Sequence, residues 1–430
     1  MSHHRSFKWI VMLLALMLVL SQGVVFSQGQ QAAPARTPAS PAAVVTWNAI
    51  ALRTAIQVAR QNQPQSQMYL AQVQAAVYNA VVAIEGRYQS YQSGMAPRPG
   101  ASVDATVATA AHAMLVHLFP AQQAALDADY AAALAAVPDG PAKAAGVDVG
   151  QEAAAELIAL RQGDGLEADI GFTMPTPAPG VWQLPAGITP LSPWISRLRP
   201  YLLESPDQFR PSPPPDLGSR EWAEQFEEVR LVGRRDSPYR TAEQTDIALF
   251  WTTHAQAQYN TAFQRISLER GLDAVEAARL FAMGNLVGAD ALIACFDAKY
   301  YYLFWRPQFA IPLGDSDGNP ATIGDTTWQP LLGTPNHPEY PSAHACLTSA
   351  TAEVLVAFLG TQRIKLDLTS AAPNVIQRTR HYEHAHDLVR EIIDARVWGG
   401  IHYRESDVKG AVLGRKVAHW TLQRYFLPEN

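Results

Sequence analysis

The sequence predicts an all-α protein made of helical bundles joined by long proline-rich loops. Between residues 46 and 163 alanine is abundant and apolar residues recur three and four positions apart, as one face of a helix requires. Helical patterns return near residue 219 and continue, with breaks at prolines, into the C-terminal region. We find no convincing strand-rich stretch and no internal repeat of fixed period in the sequence.

The first 27 residues have the pattern of a secretory signal. Arg5 and Lys8 precede an apolar run that starts at Trp9, and the small residue Ser27 follows that run. A retained N-terminal anchor is the alternative. Removing this segment takes away two cations and no acid, which changes the formal net charge from −6 to −8. We expect a secreted or periplasmic protein that does not bind nucleic acid, because an acidic chain is repelled by phosphate backbones.

The rest of the chain divides by composition. We expect a disordered linker at 28–44, an N-terminal helical region at 45–170, a proline-rich excursion at 171–220 and a C-terminal helical bundle at 221–430. The excursion holds 12 of the 31 prolines, so it is interpreted as a boundary between two helical halves, with a lid over a site as the alternative. No later stretch has the roughly 18 to 20 uninterrupted apolar residues that a membrane span needs.

In the C-terminal half, helical patterns predict individual segments. They cover 219–233, 241–257, 273–301, 343–359, 376–397 and 407–425.

Three short motifs in this half combine side chains that bind tetrahedral oxyanions. They are Lys299-x6-Arg306-Pro307, Pro341-Ser342-Ala343-His344 and Arg396-x5-His402. Lys299 and Arg306 are seven apart, which places both near one face of a two-turn helix. Ser342 precedes an alanine-rich helical run and can cap it, so that the first free N–H groups face an anion. Together the motifs predict a binding site for a phosphate-like anion.

The order and spacing of these motifs resemble the superfamily of vanadium-dependent haloperoxidases and type-2 phosphatidic-acid phosphatases. The flanking words Phe304-Trp-Arg-Pro307, His337-Pro-Glu-Tyr-Pro-Ser-Ala-His344 and Arg396-Val-Trp-Gly-Gly-Ile-His402 are similar to the bacterial and algal haloperoxidase branch. The likeness extends to Trp47-Asn48 and to Ala248-Leu-Phe-Trp251 upstream. It therefore implies the haloperoxidase-like helical fold for most of the mature chain.

The resemblance also implies a role for each motif residue. His402 would bond the metal of a vanadate cofactor, and His344 would act as acid and base on the opposite side. Lys299 would polarise peroxide. The oxyanion oxygens would be bound by the side chains of Lys299, Arg306, Ser342 and Arg396, by the Ala343 N–H and by His402. Phosphate can occupy the same site.

On this resemblance we expect a haloperoxidase that oxidises halide with hydrogen peroxide to hypohalous acid. His337 stands where algal bromoperoxidases have histidine and chloride-oxidising members have phenylalanine, which favours bromide or iodide over chloride. Phe296, the second candidate for the halide site, matches neither branch. The family's usual Pro-Ser-Gly-His reads Pro-Ser-Ala-His here, and the Ala343 methyl would be strained if the backbone required a positive φ.

Two other functions remain open from the residues. A soluble exported acid phosphatase could use His402 as nucleophile on a phosphate monoester, with His344 protonating the leaving alcohol. A non-enzymatic oxyanion-binding protein could keep the pocket without turnover. An apolar, water-poor mouth would favour halide oxidation, and a basic or open one would favour phosphate esters. Cys295 and Cys346 are interpreted as either a disulfide or two buried thiols, and Asp246 as a surface carboxylate or an acid orienting His344.

Overall fold

The computed structural model describes residues 38–429, and most of them are helical. The predicted signal at 1–27 and the larger part of the predicted linker at 28–44 lie outside the described residues. The first half contains α1 (Ala42–Leu52), continued by a π-helical stretch (Arg53–Val58), then α2 (Gln63–Glu85), α3 (Val103–Leu118), α4 (Gln123–Ala135) and α5 (Pro141–Arg161). Helix α1 thus begins inside the segment predicted as linker.

The second half begins with α6 (Arg220–Val232), α7 (Ala242–Phe250), α8 (Ala255–Glu269) and α9 (Ala274–Tyr302). It continues with the short α10 (Pro307–Ala310), α11 (Ala343–Leu359), α12 (Ala385–Trp398) and α13 (Arg404–Leu422). The predicted all-α fold class is confirmed. The single helix predicted at 241–257 is divided between α7 and α8, and the helix predicted from 376 begins only at Ala385.

A short hairpin precedes α12, and its second strand occupies the start of the segment predicted to be helical from 376. Strand β1 (Leu366–Thr369) pairs antiparallel with β2 (Thr379–Tyr382), and Leu366 lies opposite Tyr382. Leu366 and Leu368 are buried while the residues between and after them are not. This alternation covers only four residues in each strand, which is too short a pattern to be distinguished from helix in the sequence.

Helix α9 runs through the centre of the main apolar core. It begins with a capping box, in which the Asp273 side chain accepts from the Glu276 N–H and the Glu276 side chain accepts from the Asp273 N–H. Helices α2 and α11 pack against it. Among the described helices α9 alone is long and apolar enough to cross a membrane. Its most apolar 18-residue stretch is 94% buried inside the protein. Helix α9 therefore has the position of a core helix.

The proline-rich segment is ordered against α9. The backbone N–H groups of Tyr201, Leu202 and Leu203 each donate to the carboxylate of Asp290 on α9, at 2.7 Å. Burial raises the pKa of Asp290 to about 6, and the three N–H donors oppose that shift. From Ala39 onward the described residues form one compact unit. A domain boundary at this segment stays a prediction.

Helices α11 and α13 approach so closely that two positions between them admit only glycine. A Cβ atom at Gly414 would lie 2.0 Å from the Cys346 carbonyl oxygen, and one at Gly410 would lie 2.5 Å from the Ser342 carbonyl oxygen. The Ser342 N–H also donates to the Ser406 carbonyl oxygen, 3.0 Å away. Helix α13 therefore fixes the position of Ser342 from behind.

We expect Gly414→Ala to lower the free energy of unfolding by about 1–3 kcal/mol, because the methyl group overlaps the backbone of α11. Urea denaturation followed by circular dichroism measures this loss. The matched control is Gly94→Ala, since a Cβ at Gly94 meets nothing within 4 Å. Equal denaturation midpoints for the two variants would show that the helices can separate without cost.

Candidate functional site

The structure brings the three predicted motifs together from five places in the chain. Lys299 lies in the last turn of α9, Arg306 just before α10, Ser342 at the N-cap of α11, Arg396 in the last turn of α12 and His402 in the turn before α13. All five side chains are buried, each 3% exposed or less. The predicted cations, hydroxyl and imidazole therefore lie in one enclosed region.

Lys299 and Arg306 do not converge in the way the sequence indicated. Helix α9 ends at Tyr302, and Leu303 adopts a left-handed conformation with φ 50°, so Arg306 lies outside the helix. The expectation that the two share one helix face is wrong. They meet because the chain turns sharply at Leu303 and both side chains reach the same loop.

That loop is the segment His337-Pro338-Glu339, which we call the 337–339 clamp. The Lys299 Nζ donates to the carbonyl oxygens of Pro338 and Glu339, both at 2.9 Å. The Arg306 Nε donates to the His337 carbonyl oxygen at 3.0 Å. Backbone dipoles thus satisfy much of the hydrogen-bonding capacity of two buried cations.

Glu339 fixes the tautomer of His402. The His402 Nδ1 lies 2.7 Å from the Glu339 Oε1, and the His402 Nε2 lies 3.1 Å from the Arg306 Nη1. A guanidinium has only donors, so the Nε2 must accept and the Nδ1 carries the proton that is donated to Glu339. The lone pair of the Nε2 consequently faces the cations, as bonding to vanadium or phosphorus requires.

Sequence reasoning missed Glu339, although it stands inside one of the quoted motif words. Its carboxylate is fully buried and also accepts from the Ser406 hydroxyl and from the Tyr403 N–H. Burial raises the pKa of Glu339 to about 7, an effect that the Arg306 guanidinium opposes. A single acid among cationic motifs was the available signal, since a carboxylate often orients a ligating histidine.

The start of α11 supplies the second side of the site. The Ser342 hydroxyl accepts from the Ala345 N–H, as predicted for a cap. Ala343 is the first helical residue and does not have a positive φ. Its methyl group therefore adds no backbone strain. The first N–H groups of the helix have no partner within the helix and remain available to an anion.

Two buried nitrogen atoms in the site have no hydrogen-bond partner among the described residues. They are the Nε2 of His344 and the Nε of Arg396. The Arg396 Nη1 donates to the Trp251 carbonyl oxygen at 3.3 Å. The Arg396 Nε–H is a buried donor whose missing partner costs free energy, so a ligand with several acceptor oxygens would stabilise this arrangement.

The electrostatics of the site depend on burial. Burial lowers the pKa of Lys299 to about 7 and that of Arg396 to about 10. The pKa values of His337, His344 and His402 fall well below the ordinary value, first because of burial and then because of the neighbouring cations. All three imidazoles are therefore neutral near pH 7.

Asp407 is the second buried carboxylate of the site. Burial raises its pKa well above the ordinary value, and the nearby Ser342 side chain opposes that shift. Neither carboxylate oxygen reaches a partner with hydrogen-bonding geometry within residues 38–429. Burial therefore disfavours the charged form of Asp407 beside the buried cations.

A cavity of about 200 Å³ opens beside His344. His337, Phe296 and Ala343 also line it, and the rings of His337 and Phe296 lie 5.3 Å apart. Leu191 of the proline-rich segment closes one side, with its N–H bonded to the Asn336 carbonyl oxygen. Both halide-site candidates thus border one cavity, and Leu191 of the proline-rich segment also lines it.

Three further sequence hypotheses have clear outcomes. Cys295 and Cys346 are free buried thiols, and each donates to a backbone carbonyl oxygen, Pro341 and Ala291 respectively. Asp246 is buried rather than on the surface, and it does not contact His344. It pairs with Arg380 at 2.9 Å and so anchors the hairpin.

We expect Glu339→Gln to weaken vanadate binding by about 10- to 100-fold, because a neutral amide accepts more weakly from the His402 Nδ1–H and leaves its Nε2 less basic. Isothermal titration calorimetry with orthovanadate measures the change. Glu383→Gln is the control, since Glu383 pairs with Arg363 and His381 on the hairpin side. Unchanged vanadate affinity in Glu339→Gln would mean that His402 does not bond the anion.

We expect sulfate affinity to fall as the pH rises above 7, by up to about tenfold per pH unit for each group that titrates. Lys299, with its pKa lowered to about 7, loses its charge in this range, and Glu339, with its pKa raised to about 7, becomes anionic. Sulfate is a suitable probe because its own charge is constant.

Lys299→Met should bind sulfate more weakly and with a shallower pH dependence than the parent. Lys143→Met is the matched control, because Lys143 pairs with Asp139 far from the site. Sulfate titrations at several pH values compare the three proteins. If the parent protein bound sulfate equally well at every pH, the expected loss of charge on Lys299 would be contradicted.

Known proteins resemble this chain in one domain and in overall fold. Residues 279–427 match the family model of the VCPO second helical-bundle domain. No curated protein matches the chain. A bacterial vanadium-dependent iodoperoxidase is similar in structure with a TM-score of 0.76 and 20% identity, over 92% of this chain and 99% of that one.

A bacterial vanadium-dependent chloroperoxidase is also similar in its apo and holo forms. The TM-scores are 0.69 and 0.70, each at 17% identity. The apo form is matched over 83% of this chain and 93% of that one, and the holo form over 84% and 92%. Residues 279–427 thus match a haloperoxidase-type helical-bundle domain, and the solved structures show that the chain shares their fold.

Proposed function

We propose that the protein is a vanadate-dependent haloperoxidase that oxidises bromide or iodide with hydrogen peroxide to hypohalous acid. The observation that carries this proposal is that His402 is fixed in the tautomer protonated at Nδ1. Its Nε2 is an acceptor that faces buried cations, with Arg306 at 3.1 Å, while Glu339 fixes the opposite nitrogen at 2.7 Å. Such a nitrogen is a ready ligand for vanadium.

The donor set fits vanadate. Lys299, Arg306 and Arg396 provide buried positive charge, Ser342 provides a hydroxyl, and α11 provides backbone N–H groups. The unpartnered Nε of Arg396 and Nε2 of His344 add hydrogen-bonding capacity that the protein does not itself satisfy. A tetrahedral oxyanion has enough acceptor oxygens to pair with all of these groups.

Vanadate bound here would act as a Lewis acid that activates hydrogen peroxide toward halide. The protein's own groups prepare that step. His344, neutral and without a partner on its Nε2, takes a proton from incoming peroxide and returns it to the leaving oxygen. Lys299, held by the 337–339 clamp, stabilises negative charge on the oxygen that departs.

The cavity beside His344 supports halide oxidation over phosphate-ester hydrolysis. Phe296, Leu292 and Leu347 supply apolar walls, and Asn62, Gln63 and Gln256 are uncharged polar residues of the lining. The residues that line the cavity include no Lys or Arg, so this mouth lacks the basic groups that would attract a phosphate monoester. His337 borders this mouth and supports the preference for bromide or iodide.

The vanadate-loaded protein should halogenate monochlorodimedone when given peroxide with bromide or iodide. His344→Ala should reduce kcat about 10²- to 10⁴-fold, the range for loss of a general acid–base group. The control is His419→Ala, because His419 is exposed and pairs with Glu353. Hydrolysis of p-nitrophenyl phosphate that vanadate inhibits, with no halogenation, would instead identify an acid phosphatase.

A third outcome of the same assay is also decisive. Vanadate binding without either activity would identify an oxyanion-binding protein and overturn the proposal of an enzyme. Omitting vanadate separates the first outcome from halogenation by trace metals. The His419→Ala control keeps the fold and the bulk charge comparable in each arm.

A further inference from the structure

Two histidines and an aspartate meet on the protein surface at the start of α12. One ring nitrogen each from His384 and His386 and one carboxylate oxygen from Asp387 all lie within 4.8 Å of one another. The three side chains are 42%, 68% and 29% exposed, respectively. An ion from solvent can therefore reach all of these ligand atoms.

The backbone at the helix start brings the three side chains together. His384 is the N-cap of α12, with the extended angles φ −123° and ψ 154°, and His386 and Asp387 lie in the first turn. The His384 N–H donates to the Asp387 Oδ2 at 3.2 Å, which fixes the carboxylate beside the N-cap. The two imidazole rings lie nearly parallel, with 5.3 Å between centroids and 19° between planes.

The distances in this cluster are those of neighbouring metal ligands. The His384 Nδ1 lies 3.6 Å from the Asp387 Oδ2, and the His386 Nε2 lies 3.3 Å from the Asp387 Oδ1. Charge-assisted hydrogen bonds are shorter, at about 2.7–2.9 Å. Two ligands bonded to one tetrahedral zinc ion at about 2.0–2.1 Å are about 3.4 Å apart. The spacing therefore fits side chains that share an ion better than side chains that hydrogen-bond to one another.

We propose that His384, His386 and Asp387 form a binding site for a divalent transition-metal cation of the zinc type. Zinc accepts imidazole nitrogen together with a carboxylate, whereas calcium and magnesium prefer oxygen ligands alone. Three protein ligands leave a further position for water. Other residues form the oxyanion site, so the metal site does not depend on the proposed haloperoxidase function.

Arg390 is the cation that competes with a metal at this site. Its Nη2 donates to the Asp387 Oδ1 at 2.9 Å, and its side chain is 70% exposed. An exposed ion pair of this kind contributes little free energy, so a metal ion can displace the guanidinium. A carboxylate has about four lone-pair positions, which allows Asp387 to bind an ion while it still accepts from the His384 N–H.

Isothermal titration calorimetry of the full-length protein with zinc chloride tests this proposal. We expect His386→Ala to weaken zinc binding at least about tenfold, because even the loss of a partner behind a ligand costs 10- to 100-fold. Arg390→Met should bind zinc up to about fivefold more tightly, since it removes the competing exposed ion pair. Magnesium chloride should give the same titration with the parent and with His386→Ala.

His381→Ala is the matched control. His381 is also exposed and lies on the preceding strand β2, where its ring nitrogens contact Asp367 at 2.6 Å and Glu383 at 3.1 Å. This variant should keep the zinc affinity of the parent. Equal losses in His381→Ala and His386→Ala, or zinc binding that His386→Ala does not weaken, would overturn the proposal. Weaker zinc binding by Arg390→Met would do the same.

Zinc bound elsewhere does not obscure the result. His3 and His4 near the N-terminus are present in the parent and in every variant, so the difference between them reports on the cluster. Circular dichroism verifies that each variant is folded, and His384→Ala replaces His386→Ala if the latter does not fold. Absence of zinc binding by the parent overturns the proposal without any variant.

Discussion

The site depends on the 337–339 clamp, because this segment makes it possible to bury Lys299 and Arg306 side by side. Placing two cations in an apolar interior costs several kcal/mol for each ion unless dipoles or opposite charges surround it. The carbonyl oxygens of the clamp accept from both side chains. The Glu339 carboxylate supplies the one hydrogen-bonded negative charge nearby, and it also orients His402. The same segment therefore stabilises the two buried cations and orients the His402 imidazole.

Helix ends determine where each group lies. Helix α9 stops at the left-handed Leu303 with Lys299 in its last turn, and α11 starts at Ser342 with its N–H groups facing the site. The close contact at Gly410 and Gly414 locks α13 onto α11. The long core helices therefore act as a rigid frame, and the functional groups occupy the irregular ends where backbone hydrogen bonds are free.

The sequence predicted the site residues better than it predicted their geometry. Lys299, Arg306, Ser342 and His402 were identifiable because residue type and motif spacing are local properties. The expectation that Lys299 and Arg306 share one helix face was wrong, because the helix ends before Arg306. Its termination at Leu303 depends on a backbone conformation that motif spacing does not encode. The hairpin at 366–382 was missed for a similar reason. Its alternation is too short to compete with the helical periods on either side.

Glu339 was not identified because its role exists only in three dimensions. Glu339 contacts His402 from 63 residues away, and neither residue alone indicates the pair. Polar residues that tertiary packing isolates from water carry no local signal, whereas capping residues and apolar periods do.

Ala343 connects the oxyanion pocket with the apolar cavity. It occupies the first position of α11, where helical backbone accepts a Cβ without strain. Its N–H stays available to the anion while its methyl group lines the cavity beside His344. Glycine in its place would remove this methyl group from the cavity wall. One residue thus contributes a hydrogen-bond donor to the anion site and an apolar group to the cavity beside it.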